Sequence, residues 1–314
     1  MKSFTITERD SGQRVDRFIQ KTFERLPKSL MFKEIRKKNI KVNKKRCTPE
    51  QILNVGDVLE LYLKDDVLAE KKKHYDFLRA STDLDIIYED DNIVLINKPV
   101  GVLCHPDGHE YIDNIVARLK RYLYDKKEWS PDTSSFTPSL ANRIDRNTGG
   151  IVIGAKSSSA LKIINEKIKS REIEKYYLTV VHGKMKKQNE ILTAYLTKNE
   201  KKNLVAVSDN QVEGSKEIIT EYTVLDYYDD ASLLEVKLHT GRTHQIRAHL
   251  AHIGHPLYGE GKYGKEQGRY RQALYSYKLH FNFSDKNELS YLNGKTFEAK
   301  NIKLLNDFKE RKYK

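Results

Sequence analysis

The chain predicts an α+β protein: a larger domain built on a mixed or antiparallel sheet, preceded by a small N-terminal α/β domain. Two observations carry this expectation. Strand-like segments differ in character: Ile93-Val94-Leu95-Ile96 is an unbroken apolar run, as in a strand buried on both faces, whereas Leu234 to His239 alternates as a strand with one wet face does. Helical stretches are few and connections short, which favours α+β over a doubly wound sheet. Of 314 residues, we assign 1–64 to the small domain, 65–84 to a charged, weakly patterned linker containing Lys71-Lys72-Lys73, and 85–314 to the larger domain.

Charge singles out the N-terminal part. The formal net charge is +13, a surplus that draws in polyanions, of which nucleic acid is the commonest. Residues 1–80 hold 20 Lys and Arg against 12 Asp and Glu, and residues 28–46 alone hold nine against one, so this short segment carries the whole imbalance of its region. Within it Met31 and Ile35 are i,i+4 partners, and the stretch from Met31 to Lys38 reads as a helix with a cationic polar face. Ile40 and Val42 alternate with polar residues as a short strand, and Val55 to Leu63 reads as a turn and a closing strand. A helix and hairpin with a basic rim is a compact RNA-binding shape, with Arg36, Lys37, Lys38 and Lys41 as its candidate contacts. A solvated helix face is the plainer reading of the same charges.

In the larger domain, helices are expected over Asn114 to Tyr124, over Ala160 to Ser170, and in a short stretch near His244. Asp125 to Pro138, with two prolines and several Ser and Thr, reads as an exposed loop. No long apolar run or basic amphipathic helix suggests a membrane partner. Met1 to Ile6 lack the apolar core of a signal peptide, and Cys47 and Cys104 form neither a disulfide framework nor a thiolate metal site. A cytoplasmic protein is expected.

Four constellations carry chemistry. In Asn142 to Gly150 one carboxylate, Asp145, stands between Arg143 and Arg146, just before a glycine pair and the buried strand Ile151 to Ala155. Kept ionised by neighbouring guanidinium groups, it could act on an electron-poor carbon, as carboxylates do in glycosidic chemistry; a loop salt bridge is the alternative. Lys98 to Pro106 follows the buried strand directly. Pro99 and Gly101 suggest a type I turn, and Lys98 there a phosphate contact. Tyr177, on the same strand face as Thr179 and Val181, is either a core residue or a platform for a flat base. His239 to Pro256 is the densest segment. Thr243 is a candidate N-cap, Ile246, Leu250 and Ile253 form a helical stripe, and Gly254 with Pro256 ends the helix. Arg242, His244 and Arg247 load its first turn, which makes an anion site. His249, His252 and His255 swing around the axis and no HExxH pattern occurs, so no metal site is expected.

In order, Lys98 to Pro106, Asn142 to Gly150, Glu174 to Gly183 and Leu238 to Gly264 resemble the RluA-type family of RNA pseudouridine synthases, over about residues 85–280. Residues 11–63 resemble the small RNA-binding domain named after a small-subunit ribosomal protein. The resemblance implies isomerisation of uridine within RNA, with no metal or organic cofactor. It implies Asp145 as the catalytic aspartate, Arg143 in the same motif, Tyr177 at the base-stacking and proton-handling position, and Arg247 paired with Asp145. Ribosomal RNA is favoured as the partner and transfer RNA is possible; a catalytically inactive RNA-binding factor is the rival. The chain departs from the commonest pattern at Asn142, where a histidine is usual, at Ile144, where leucine is, and at Gly149, where serine is. Loss of a ring at Asn142 and added backbone freedom at Gly149 put the details of base extrusion in question.

Overall fold

The computed structural model describes residues 2–23, 26–63, 75–108, 110–199, 204–264 and 271–313. The N-terminal part holds β1 (Lys2–Thr5), α1 (Val15–Thr22), α2 (Lys28–Arg36), β2 (Ile40–Val42), β3 (Lys45–Arg46) and β4 (Val58–Leu61), with sheet order β1-β4-β2-β3. Asn43 and Lys44 join β2 to β3 and both take positive φ (52° and 62°), as the tight two-residue hairpin turn demands. Phe18 and Ile19 from α1, Met31 and Ile35 from α2, and Leu59 and Leu61 from β4 close a core of their own. Arg36, Lys37 and Lys38 are exposed at the end of α2, and Lys41 lies over the Tyr62 ring.

The larger part follows as β5 (Ile86–Glu89), β6 (Ile93–Lys98), α3 (Ile115–Asp125), β7 (Ser139–Leu140), β8 (Gly149–Ala155), α4 (Ser158–Lys169), β9 (Ile173–His182), β10 (Asn189–Asn199), β11 (Leu204–Ser208), β12 (Lys216–Tyr228), β13 (Ala231–Leu238), α5 (Gln245–His252), β14 (Leu274–Phe281), β15 (Thr296–Glu298) and α6 (Lys303–Lys309). Its sheet runs β11-β10-β12-β13-β9-β14-β8-β6-β5, with β15 on β14 and β7 on β8. It is mixed: β14 and β8 are parallel, while the other described pairs are antiparallel.

Period-two alternation divides the core. Ile93 and Leu95 of β6 face a cluster with Ile164 of α4 and Phe308 of α6, whereas Val94 and Ile96 face one with Leu119 of α3 and Leu250 of α5. That explains the unbroken apolar run. Asn114 and Ser157 cap α3 and α4 through side-chain oxygens that accept from Ala117 and Ala160 amides. Tyr177 belongs to the cluster on the α3 and α5 side. The free cysteines Cys47 and Cys104 are buried in the N-terminal core and in this second cluster, respectively.

Two expectations on organisation change. Asp125 to Pro138 is not a simple exposed loop: Trp129 and Phe136 are buried, and the Trp129 indole N–H donates to Phe136 O at 2.7 Å. Of the segment read as a linker, 65–74, with Lys71-Lys72-Lys73, lie outside the described residues. Residues 76–79 form a short 3-10 turn against α3, where Arg121 donates to Leu78 O and Ala80 O. Phe77 there stacks at an angle on Trp129, 5.4 Å between centroids, so an aromatic contact invisible in the charge pattern anchors the stretch.

Candidate active site

Asp145 sits in a turn between β7 and β8, closed by Thr148 N–H donating to Asp145 O at 3.1 Å. The turn is tied down by three hydrogen bonds to two residues. Gly101 N donates to Arg146 O (2.8 Å), the Arg146 guanidinium returns a bond to Gly101 O (2.9 Å), and Gln272 donates to the Thr148 hydroxyl (2.9 Å). Beneath it lies Lys98.

Lys98 is a correction. Expected as an RNA contact, it is fully buried, its ammonium donating to Pro99 O (2.9 Å), Val102 O (2.7 Å) and Arg146 O (3.1 Å). Burial pushes its pKa down to about 8, while three carbonyls for three N–H donors favour the charged form. It is a staple between the β6 turn and the Asp145 turn. Gly101, at the exit of that turn, takes φ +94°, a left-handed conformation that glycine adopts without a steric penalty.

The guanidinium partner of Asp145 comes from far along the chain. Neither Arg143 nor Arg146 forms an ion pair with it among the described residues; Arg143 is exposed and Arg146 is spent on Gly101. Instead Arg247, in the first turn of α5, donates from Nη1 to Asp145 Oδ2 at 2.8 Å. Its Nε and Nη2 hold Glu260 in a two-pronged pair at 2.6 and 2.7 Å. Glu260 is fully buried; burial raises its pKa, but the Arg247 hydrogen bonds and charge outweigh that and leave it below the usual carboxylate range. Arg247 is thereby held above its ordinary value despite burial. Asp145 Oδ1 has no hydrogen-bond partner among the described residues.

α5 starts one residue later than expected. Thr243 is not the cap; His244 is, in a left-handed conformation (φ 52°) with no side-chain capping bond. The start is secured by Gln245, whose side chain accepts from Arg242 N (3.1 Å) and Thr240 Oγ1 (2.9 Å) and donates to Ile219 O (3.1 Å) and Thr220 Oγ1 (3.0 Å). The anion this first turn receives is the protein's own Asp145. His244 Nδ1 meets the Tyr263 hydroxyl at 2.7 Å and Nε2 lies 3.8 Å from Asp145 Oδ2. Burial lowers its pKa, against the opposing pull of Asp145.

All six residues expected at the site line one recess of about 70 Å³: Arg143, Asp145, Tyr177, Arg242, His244 and Arg247. It adjoins a cavity of about 630 Å³ that shares five of them and adds Lys169, Arg171, Lys175 and Lys237. That volume lies in the range of about 300–1,000 Å³ usual for small ligands. Tyr177 is buried, and desolvation, only partly offset by Ser276, pushes its phenol up to about 12, so its hydroxyl stays protonated and can donate a hydrogen bond. His249, His252 and His255 turn to different partners: Thr220 Oγ1, Asp209 and His182 O.

The family departures acquire causes. Asn142 Oδ1 accepts from the Ile153 amide at 2.8 Å, pinning the chain to β8. Gly149 makes room: a Cβ there would stand 2.6 Å from the Tyr275 ring, whose hydroxyl reaches Asn97 at 2.6 Å. Lack of space, not added backbone freedom, explains that glycine. Glu260 and Tyr263 escaped the sequence reading. A signal existed: five donors on a buried arginine exceed what one carboxylate accepts, and Glu260 is the acid between two glycines in the next segment.

Residues 92–252 match the RNA pseudouridylate synthase family. A ribosomal large subunit pseudouridine synthase C of Haemophilus influenzae is 32% identical over 297 residues, 90% of this chain and 87% of that protein. One of Vibrio parahaemolyticus is 33% identical, covering 82% of this chain and 79% of its own length. An uncharacterized RNA pseudouridine synthase of Mycoplasma genitalium is 32% identical over 88% of both chains. The solved structure of human RNA pseudouridylate synthase domain containing 4 shares the fold, with TM-score 0.58 at 17% identity over 72% of this chain and 92% of that one. Fold, motif order and relatives therefore converge: the chain belongs to the RNA pseudouridylate synthase family and is an RNA pseudouridine synthase.

Proposed function

We propose that this enzyme isomerises uridine in large-subunit ribosomal RNA, with Asp145 as its catalytic carboxylate and residues 1–64 as an RNA-gripping domain. The observation that carries the first part is the division of labour on Asp145, which lines a nucleoside-sized cavity: Oδ2 is held by Arg247 while Oδ1 is unpaired among the described residues. A carboxylate oriented through one oxygen keeps the other for the substrate. The C1′–N1 bond breaks, uracil turns, C1′ joins C5, and the C5 proton is exchanged for one on N1. In the net reaction every bond made or broken lies within the nucleoside, and any bond or proton that Asp145 takes up on the way is given back, so the reaction balances without a co-reactant. Asp145 Oδ1 acts on the ribose, either by adding to C1′ or by taking the proton whose loss drives elimination. Tyr177 supplies the flat surface for the freed base. Extruding that base costs a few kcal/mol, and Arg143 and Arg242, exposed on the rim, offset this by gripping phosphates. The names of the relatives support the ribosomal substrate.

The test pairs Asp145→Asn with pseudouridine mapping of ribosomal and transfer RNA. Asn keeps the shape and an acceptor for Arg247 but loses the charge. Turnover should fall on the order of a thousandfold or more while RNA affinity stays within about twofold of wild type. Retained turnover, or equal loss of affinity, would overturn the role of Asp145; modification confined to transfer RNA would overturn the ribosomal substrate.

A further inference from the structure

The two units meet at a polar junction centred on one buried carboxylate. Asp10, in the turn after β1, is 3% exposed. Its Oδ1 accepts from Phe136 N (2.9 Å), Ser135 N (3.0 Å), the Ser135 hydroxyl (2.9 Å) and the Ser134 hydroxyl (3.2 Å). Oδ2 takes the hydroxyl of Thr7 at 2.9 Å. Four of these five donors belong to the larger unit. Around them Gln13 Nε2 donates to the Ser135 hydroxyl (3.2 Å), Ser158 N to Arg9 O (3.4 Å), and the Lys21 ammonium lies 5.9 Å from the centre of the Phe136 ring.

An apolar contact of this size could slide. A buried carboxylate cannot, because each donor it loses leaves charge in a poor solvent, and its donors are directional. Two successive backbone amides aimed at one oxygen fix both distance and angle. A flexible tether between the units would only raise the local concentration of RNA near the cavity; this junction sets a separation.

We propose that Asp10 is a positioning residue: by docking the N-terminal unit on Ser134, Ser135 and Phe136 it makes the basic face and the Asp145 cavity one rigid gauge. The enzyme then selects a uridine that lies at a set distance from the RNA feature held by Arg36, Lys37, Lys38 and Lys41. This rests on the RNA-gripping role given above to the N-terminal domain.

Asp10→Ala tests it, together with a Ser134→Ala and Ser135→Ala double variant that weakens the dock from the other side and leaves the N-terminal unit intact. Each is assayed on a full-length large-subunit ribosomal RNA transcript and on a short stem-loop containing only the modified uridine. On the transcript, kcat/KM should fall on the order of ten- to a hundredfold, as misplacement of a bound substrate does, and modification should spread to neighbouring uridines. On the stem-loop, kcat and KM should match wild type, and the affinity for the transcript and its salt dependence should not change. Amide hydrogen exchange at positions 135 and 136 should speed up in both variants. Wild-type behaviour on both RNAs, or an equal fall on both, overturns the gauge. Unchanged exchange overturns the dock itself, and does so even where the wild-type enzyme leaves both RNAs unmodified, which would instead sink the ribosomal reading.

Discussion

At the scale of single residues, the site rests on Arg247 being shared between two carboxylates. Asp145, Tyr177 and Arg247 were legible because each lies in a short motif whose neighbours announce a strand mouth or a helix start. Glu260 was not, since what identifies it is a hydrogen bond across 13 residues and a helix end. Glu260→Gln sharpens the point. Its amide NH₂ would face the guanidinium N–H groups, leaving a buried charge under-compensated at a cost of about 3–5 kcal/mol. Chemical denaturation should show that loss. Turnover should fall as well, since Arg247 would no longer hold Asp145 Oδ2 in place, and unchanged stability would show the pair to be dispensable.

Among elements, helices and strands came through from periodicity, and the failures cluster at their ends. The start of α5 is set by Gln245 reaching β12 and by a left-handed His244, which no capping pattern encodes. The cationic turn after β6 was misjudged for a related reason: composition shows that a lysine is present, not which way it points. Lys98→Met should therefore cost about 2–4 kcal/mol, since Pro99 O and Val102 O lose their donor and Arg146 O keeps only the Gly101 amide. It should slow turnover by loosening the Asp145 turn, and leave the salt dependence of RNA binding as it was. A flattened salt dependence would restore Lys98 to the RNA surface. Buried in α5, His249 is pushed down to about 4 from an ordinary 6.5, mainly by desolvation. The unfolded chain then takes up the proton first, so stability is full above pH 6.5 and declines as pH falls toward 4, by roughly 3 kcal/mol in all. Denaturation midpoints across that window should fall less steeply for His249→Gln than for wild type; parallel slopes would assign the acid sensitivity elsewhere.

Over the whole molecule, α+β character was readable from the mix of strand types, but sheet order was not. The parallel pairing of β14 with β8 joins residues more than a hundred apart, and the Asp10 junction is likewise a long-range match of ordinary polar residues. The charge asymmetry was legible and yields a measurement. Reversing Arg36, Lys37, Lys38 and Lys41 should weaken RNA binding and reduce the salt slope by about 0.7–0.9 for each phosphate that is no longer neutralised. An unaltered slope would remove the N-terminal face from substrate binding.

The placement of the cysteines has one more consequence. Cys47 and Cys104 lie in separate cores, both buried, and burial raises the pKa of each thiol, so neither reacts with a disulfide dye until its own surroundings open. Cys104 exchanges hydrogen bonds with Ile144, immediately before Asp145 in the chain. The protein thus carries a pair of native chemical stopwatches: one times the breathing of the N-terminal core, the other the breathing of the wall behind the carboxylate, with no label added to either.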